Sequence, residues 1–188
     1  MATTSDFRSG MTIRMDGNLW TIVEFQHVNP GNWRAFVRAK LKSLKSGKVI
    51  EIRFRAGEAV DAVRIENKEF QYLYRDGSDF VFMDQETYDQ IHVDQKLIGD
   101  AAQFLKESET VDMLFNGSEI VSVEVPIAVE LKVVETVIGV RGDTATNAQK
   151  PAKVETGATV NVPLFINEGD LIKVDTRTGD YIERIKAA

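Results

Sequence analysis

The order of apolar and polar residues predicts a protein made of many short strands. Residues 19–26 and 35–41 are rich in β-branched and aromatic side chains, and the second run alternates apolar with basic residues. Runs of this kind recur along the chain, separated by turn signals built from Gly, Pro, Asn and Asp. We predict strands at residues 12–15, 19–26, 35–41, 49–55, 70–74, 80–83, 111–115, 119–125, 129–135, 159–165, 171–175 and 181–185. One short helix is expected, near residues 100–106.

The predicted strands fall into three groups, which favours an all-β fold of three small barrels. The groups occupy residues 1–64, 65–126 and 127–188. Segments of about 60 residues can each hold a five-stranded barrel, and modules this small gain stability by packing on one another. A polar stretch from Arg141 to Lys150 interrupts the third group, and we expect it to be a mobile loop.

Composition excludes several classes of protein. The 188 residues include no cysteine and two histidines, His27 and His92, so neither a disulfide framework nor a thiolate or histidine-rich metal site is expected. The sequence lacks a phosphate-binding glycine loop and a convincing set of catalytic side chains, so we expect neither an enzyme nor a cofactor. With no apolar signal core and no run long enough to span a membrane, we expect a soluble cytoplasmic protein.

Charge is distributed unevenly along the chain. Residues 1–64 contain 11 Lys and Arg against 6 Asp and Glu, whereas residues 65–188 contain 12 against 23. A basic module attracts a phosphate backbone and an acidic module repels it, so only the first segment is expected to bind RNA closely. Four lysines in that segment fit either a nucleic-acid patch or a solvated strand face and turn, and both readings stay open. These lysines are Lys40, Lys42, Lys45 and Lys48.

A turn between two predicted strands of the basic segment is the strongest candidate for a functional loop. It is the run Pro30-Gly31-Asn32-Trp33-Arg34, called the finger below. Pro30 and Gly31 break the strand pattern, and a tip that exposes Trp33 and Arg34 is poorly suited to solubility alone. His27 lies beside the finger and has no catalytic partner nearby in sequence, so we favour a structural or RNA-contacting role for it over proton transfer.

The whole chain resembles the family of bacterial translation elongation factor P. The densest part of the match runs from Lys150-Pro151-Ala152 through Val162-Pro163-Leu164-Phe165-Ile166 to Asp175-Thr176-Arg177-Thr178-Gly179. Asp6-Phe7-Arg8 near the start and Tyr72-Leu73-Tyr74 in the middle also resemble the family. The resemblance therefore extends from end to end.

The resemblance implies an SH3-like (KOW-type) barrel followed by two OB-fold barrels, in an L-shaped, tRNA-like arrangement. It implies a monomer that binds both ribosomal subunits between the peptidyl-tRNA and exit sites and relieves stalling at consecutive prolines, without covalent chemistry of its own. The finger would reach toward the peptidyl-transferase centre, and Arg38, Lys40 and Lys42 would contact RNA phosphates. Gly142-Asp143-Thr144 matches a family loop that contacts the exit-site codon of the mRNA.

The sequence departs from the family at the fingertip. Family members usually carry a lysine or arginine there, which many bacteria modify, whereas Asn32 occupies the position in this chain. A carboxamide cannot accept the lysine or arginine modifications known in the family, although it still donates and accepts hydrogen bonds. Either the tip works unmodified or Arg34 has taken over the cationic or modified role. We favour an unmodified tip because Arg34 lies closer to the return strand.

Two other functions remain as alternatives. OB-fold barrels commonly bind single-stranded RNA, so a general RNA binder or RNA chaperone is the first alternative. The acidic excess of residues 65–188 argues against it. A divergent paralogue of the family is the second alternative, and the intact Gly142-Asp143-Thr144 favours the main branch over it.

Overall fold

A computed structural model describes residues 2–31, 34–138 and 148–188. These residues form three antiparallel sheets with little helix, so the predicted all-β fold is confirmed. The described chain contains no helix that is long and apolar enough to cross a membrane. Two compact units are present: Met1–Asn67 with Met113–Ser122, and Lys68–Asp112 with Val123–Ala188. The boundaries expected after residues 64 and 126 stay a prediction.

The first sheet has the strand order β1-β6-β2-β3-β4-β5. Asp16 and Gly17 both have positive φ, at 51° and 75°, as the tight hairpin between β2 and β3 requires. Apolar side chains from its inner side form a core that includes Ile22, Val37 and Leu41, none of which is exposed. The strands are β1 (Ala2–Thr3), β2 (Thr12–Met15), β3 (Asn18–Val28), β4 (Phe36–Ser43), β5 (Val49–Arg55) and β6 (Ala59–Val63).

The second sheet has the order β11-β10-β7-β8-β9. A short helix, α1 (Gln95–Ile98), follows β9, and Asp94 caps it by accepting a hydrogen bond from the backbone nitrogen of Lys96 at 2.8 Å. A 3₁₀ helix continues to Phe104, so the helix predicted at residues 100–106 begins earlier and is mostly of the tighter type. The strands are β7 (Glu66–Asp76), β8 (Asp79–Asp84), β9 (Gln90–Asp94), β10 (Thr110–Asn116) and β11 (Glu119–Glu124).

The third sheet has the order β14-β13-β12-β15-β16. Its core includes Leu131, Val162 and Ile172, together with Phe104 from the 3₁₀ helix. The predicted polar loop was too long at its C-terminal end, because Gln149 and Lys150 already belong to β13. Residues 139–147 lie outside the described residues. The strands are β12 (Ala128–Thr136), β13 (Gln149–Val154), β14 (Thr159–Pro163), β15 (Leu171–Asp175) and β16 (Tyr181–Lys186).

Among the described residues of the third sheet, Lys150 and Asp170 are buried charged side chains, and both are hydrogen-bonded. Lys150 is 5% exposed, and its Nζ donates to the carbonyl oxygen of Val137 at 2.8 Å. Asp170 is 2% exposed and accepts from the backbone nitrogens of Asn167 and Ala188 at 2.9 and 2.8 Å. Arg184 Nη1 lies 3.6 Å from the same carboxylate. These buried charges therefore serve the fold.

Candidate functional site

The candidate site is the solvent-facing side of strands β3, β4 and β5, called the outer face below. Alternate residues of β4 point to opposite sides of the sheet. Val37, Ala39 and Leu41 are completely buried on the inner side. The residues between them, Arg38 and Lys40, therefore point outward, on the same side as Phe36 and Lys42. The basic alternation seen in the sequence becomes one face of the barrel.

Strand register arranges the outer face into rows. Glu24, Lys40 and Glu51 form one row. A bulge at Val23 adds a residue to β3 and keeps Glu24 directly opposite Lys40. Nearer the finger, the next row is Gln26, Arg38 and Arg53, and the row after it is Val28, Phe36 and Arg55. The Lys40 row contains two carboxylates, whereas the two rows nearer the finger contain arginines and no carboxylate, so positive charge is concentrated at the finger end of the outer face.

The row that contains Lys40 is neutralised by carboxylates. Lys40 Nζ donates to Glu24 Oε2 at 2.7 Å. This hydrogen bond lowers the pKa of Glu24 and raises the pKa of Lys40, so both groups stay charged at neutral pH. Arg38 is partly compensated as well, since its Nε lies 3.5 Å from Glu51 Oε1 without forming a hydrogen bond. Two of the three cations predicted to contact phosphate thus have acidic neighbours.

Three arginines at the finger end of the outer face are different. Arg34, Arg53 and Arg55, called the arginine cluster below, line an open groove of about 750 Å³ together with Phe36. Within the described residues, none of their guanidinium groups has a carboxylate oxygen within 4.0 Å. The two nearest acids in sequence bond elsewhere: Glu51 lies 3.5 Å from Arg38, and the Glu58 carboxylate accepts from the backbone nitrogen of Arg55 at 2.8 Å. The cluster is a site of uncompensated positive charge.

Phe36 orients the Arg53 side chain without neutralising its charge. The guanidinium carbon of Arg53 lies 5.4 Å from the centroid of the Phe36 ring. A cation over an aromatic face is attracted by the ring quadrupole and keeps its full charge. Arg53 is therefore oriented but still available to an anion.

The structure describes some of the other predicted site residues but not all of them. Pro30 is half-buried, and Gly31 and Arg34 are exposed. Asn32 and Trp33 lie outside the described residues, as do Gly142, Asp143 and Thr144. Lys42 is exposed opposite Thr21 and Val49. The finger's role, the phosphate contacts and the codon contact stay predictions.

The histidines and Trp20 can also be located. His27 and His92 are exposed, and the ring of His27 packs edge-on against Phe25 with centroids 5.7 Å apart. Trp20 packs against the core of the first sheet. Among the described residues, no group of three or more His, Asp or Glu side chains has the arrangement of a metal site.

Sequence reasoning missed Arg53 and Arg55. The signal was present, because Ile52-Arg53-Phe54-Arg55 alternates apolar with basic residues in the strand that returns to the finger. What was missing was the register, which places Arg53 opposite Arg38 and Arg55 opposite Phe36.

Comparison with known proteins identifies the family across the described sheets. The family model of the elongation factor P KOW-like domain matches residues 3–60, that of its OB domain matches residues 65–123, and that of its C-terminal domain matches residues 129–184. Elongation factor P of Chloroflexus aggregans is 62% identical over 185 residues, covering 97% of this chain and 98% of the relative. That of Roseiflexus sp. is 54% identical over 187 residues, covering 99% and 100%.

A solved structure supports the fold. An eIF-5A family translation initiation factor from Naegleria fowleri superposes with a TM-score of 0.53 at 12% identity, covering 66% of this chain and 96% of that protein. A similarity at 12% sequence identity is evidence for a shared fold only. Together with the family matches, it confirms the KOW-like and OB-type barrels expected from the sequence.

Proposed function

This chain belongs to the elongation factor P family of translation elongation factors, and we propose that it stimulates peptide-bond formation at consecutive prolines. In this proposal it binds the ribosome between the peptidyl-tRNA and exit sites, with the finger directed at the peptidyl-transferase centre. The observation that carries the proposal is the outer face, whose positive charge is concentrated at the finger end in a chain of net charge −6. A surface of this kind suits an RNA partner on the first sheet.

The proposed mechanism is positional. Proline is a poor donor and acceptor in peptide transfer, and a misplaced peptidyl-tRNA loses the advantage of proximity that the ribosome provides. Each tenfold loss of rate corresponds to about 1.4 kcal/mol of barrier. A factor that holds the tRNA end in place recovers part of that loss without a nucleophile, base or metal of its own. We accordingly propose that the protein is not an enzyme.

The remaining parts of the proposal concern the two loops outside the described residues. Asn32 and Trp33 of the finger would act unmodified, Asn32 through its carboxamide and Trp33 by stacking on a nucleobase, a contact worth roughly 1–3 kcal/mol. Gly142-Asp143-Thr144 would contact the exit-site codon of the mRNA. The protein would act as a monomer in the cytoplasm, with both ribosomal subunits and the peptidyl-tRNA as partners.

A reconstituted translation system tests the proposal. We would measure full-length product from a reporter with three consecutive prolines, adding recombinant protein shown by mass to be unmodified. A matched reporter with alanines in place of the prolines is the control. The proposal expects rescue of the proline reporter alone. Equal stimulation of both reporters, or of neither, would contradict it.

Variants of the finger separate the two hypotheses for its tip. Asn32→Ala should reduce rescue more than Arg34→Ala if Asn32 works unmodified at the tip. The reverse order would move the cationic role to Arg34. A general RNA binder would instead bind free RNA with a steep salt dependence and leave the proline reporter unchanged.

A further inference from the structure

We propose that the arginine cluster (Arg34, Arg53 and Arg55), and not the row containing Lys40, is the principal phosphate-binding site of the outer face. Its ligand is the phosphodiester backbone of RNA at the base of the finger. The inference rests on the proposed function in one respect, because that function supplies an RNA next to the finger. It replaces two of the phosphate contacts expected from the sequence, Arg38 and Lys40, with residues of β5.

The first argument is the availability of charge. A cation that already holds a carboxylate must give up that partner, or share it, before it binds phosphate. Lys40 is hydrogen-bonded to Glu24 at 2.7 Å, whereas the described residues place no carboxylate within 4.0 Å of the cluster's guanidiniums. Arginine also presents a planar fork of donors that fits a phosphate bidentately, which lysine does not. The cluster is therefore the better phosphate ligand on both counts.

The second argument is a local conflict in the sheet. Arg38 and Arg53 lie directly opposite each other on β4 and β5, and like charges in that relation destabilise an antiparallel pair. One row away, Glu51 is paired with Lys40, so the same two strands also contain the favourable arrangement. A conflict of this kind is typical of a binding site. A phosphate bound at Arg53 would reduce the repulsion between the two guanidiniums.

The third argument is orientation. Arg53 stacks on Phe36, and the groove opens between Arg34 at the end of the finger and Arg55 at the end of β5. Arg53 is thus held in place before a ligand arrives, without the loss of charge that an ion pair brings. Less side-chain freedom is lost when an oriented arginine binds.

Binding of an RNA hairpin with a single-stranded 3′ end tests the inference. We would measure the dissociation constant of the full-length protein by fluorescence anisotropy across a range of KCl concentrations. Arg53→Gln/Arg55→Gln should weaken binding by about tenfold or more and reduce the salt slope by about 1 to 2, as expected for two lost phosphate contacts. Phe36→Leu should show an intermediate loss, because it releases Arg53 but keeps its charge.

Lys45→Gln/Lys48→Gln is the matched control. These lysines lie in the turn between β4 and β5, at the end of the sheet away from the finger, and the change in net charge is the same. The inference expects a much smaller effect on affinity and slope. Equal losses in the two double variants would show that only net charge matters and would overturn it. So would a larger loss in Glu24→Gln/Lys40→Gln, which removes the ion pair without changing net charge.

The translation assay separates this inference from the proposed function. Suppose that the wild-type protein fails to rescue the proline reporter, while Arg53→Gln/Arg55→Gln loses RNA binding and the lysine control does not. The proposed function is then wrong and the proposed phosphate site is supported. If the wild type rescues and Arg53→Gln/Arg55→Gln binds RNA and rescues like it, the proposed phosphate site is wrong and the proposed function stands. Unchanged thermal unfolding of each variant excludes loss of folding as the cause.

Discussion

The first and third sheets use their positive charges in different ways. In the third sheet Lys150 is buried and bonded to a carbonyl, and Arg184 and Arg177 lie beside Asp170 and Asp175. At the finger end of the first sheet, three arginines stand in an open groove without a carboxylate partner among the described residues.

Some cations therefore stabilise the folded protein, whereas others remain available to bind an anionic ligand. A cation tied to a buried carboxylate or carbonyl can be removed only at a cost in stability, because its partner is left unsatisfied. An exposed, unpaired cation can be removed with little effect on folding, but its ligand loses a contact. Stability and RNA affinity should therefore respond to different residues, which the following substitutions test.

Asp170→Ala should have the largest effect on stability. The change leaves the backbone nitrogens of Asn167 and Ala188 without their acceptor and leaves Arg184 without its carboxylate. Breaking a buried charged network of this kind costs about 3–5 kcal/mol. Urea unfolding measures the loss, and Arg177→Ala, which removes an exposed pair, should shift the midpoint far less. Equal shifts would mean that burial of Asp170 does not matter.

Lys150→Ala should have the second-largest effect on stability. The variant loses a buried aliphatic stem and the hydrogen bond to Val137, which together are worth about 2–4 kcal/mol. Lys150→Met restores most of the stem and should recover part of the loss. Arg53→Met is the counterpart on the first sheet, with near wild-type unfolding but weaker RNA binding. A stability loss at Arg53 as large as that at Lys150 would remove the distinction between the two sheets.

Acid should weaken the third sheet through its carboxylates. The hydrogen bonds from the Arg177 side chain and backbone lower the pKa of Asp175 from 3.8 to about 2. Because the folded pKa lies below the unfolded one, the stabilisation is complete above 3.8 and is lost as the pH falls toward about 2. The pKa of Asp170 shifts the same way: burial raises it, but the hydrogen bonds from Asn167 and Ala188 together with the Arg184 guanidinium lower it by more.

Urea midpoints measured across this pH range test the acid effect. The midpoint of Asp175→Asn should depend less on pH than that of the wild type, because the variant has no carboxylate to protonate at that position. Identical pH profiles would show that Asp175 contributes nothing to acid sensitivity.

Much of the fold could be predicted from the sequence, because the strands with clear alternation stand out. Val49–Arg55 and Leu171–Asp175 have the predicted bounds. β13 was not predicted because it is polar and contains Pro151. In the sheet, Pro151 pairs with Asn161 of β14 but has no partner in β12, because the register between β12 and β13 ends at Ala152. Proline is tolerated where a ladder ends, so its presence misleads a reading based on local pattern.

The candidate site could be predicted only in part, for a different reason. Composition located the basic segment, and alternation placed Arg38 and Lys40 on one face. Their neutralisation by Glu51 and Glu24 depends on register across three strands, including the bulge at Val23. Residues 16 positions apart, such as Glu24 and Lys40, are paired by the fold and not by local sequence.

Glu51→Gln should have the smallest effect of these substitutions, and that effect should be on RNA binding. Glu51 Oε1 lies 3.5 Å from Arg38 Nε, so its neutralisation would release Arg38 to act with Arg53 on the same row. RNA binding should become a few-fold tighter, and the salt slope should steepen by up to about 1. Asp61→Asn is the matched control, since it removes one negative charge from the same barrel beside Arg14, away from the outer face. If the two variants tighten binding equally, net charge explains the gain. If only Glu51→Gln does, Glu51 compensates Arg38 in the wild type, and the boundary between compensated and available charge on the outer face lies between Arg38 and Arg53.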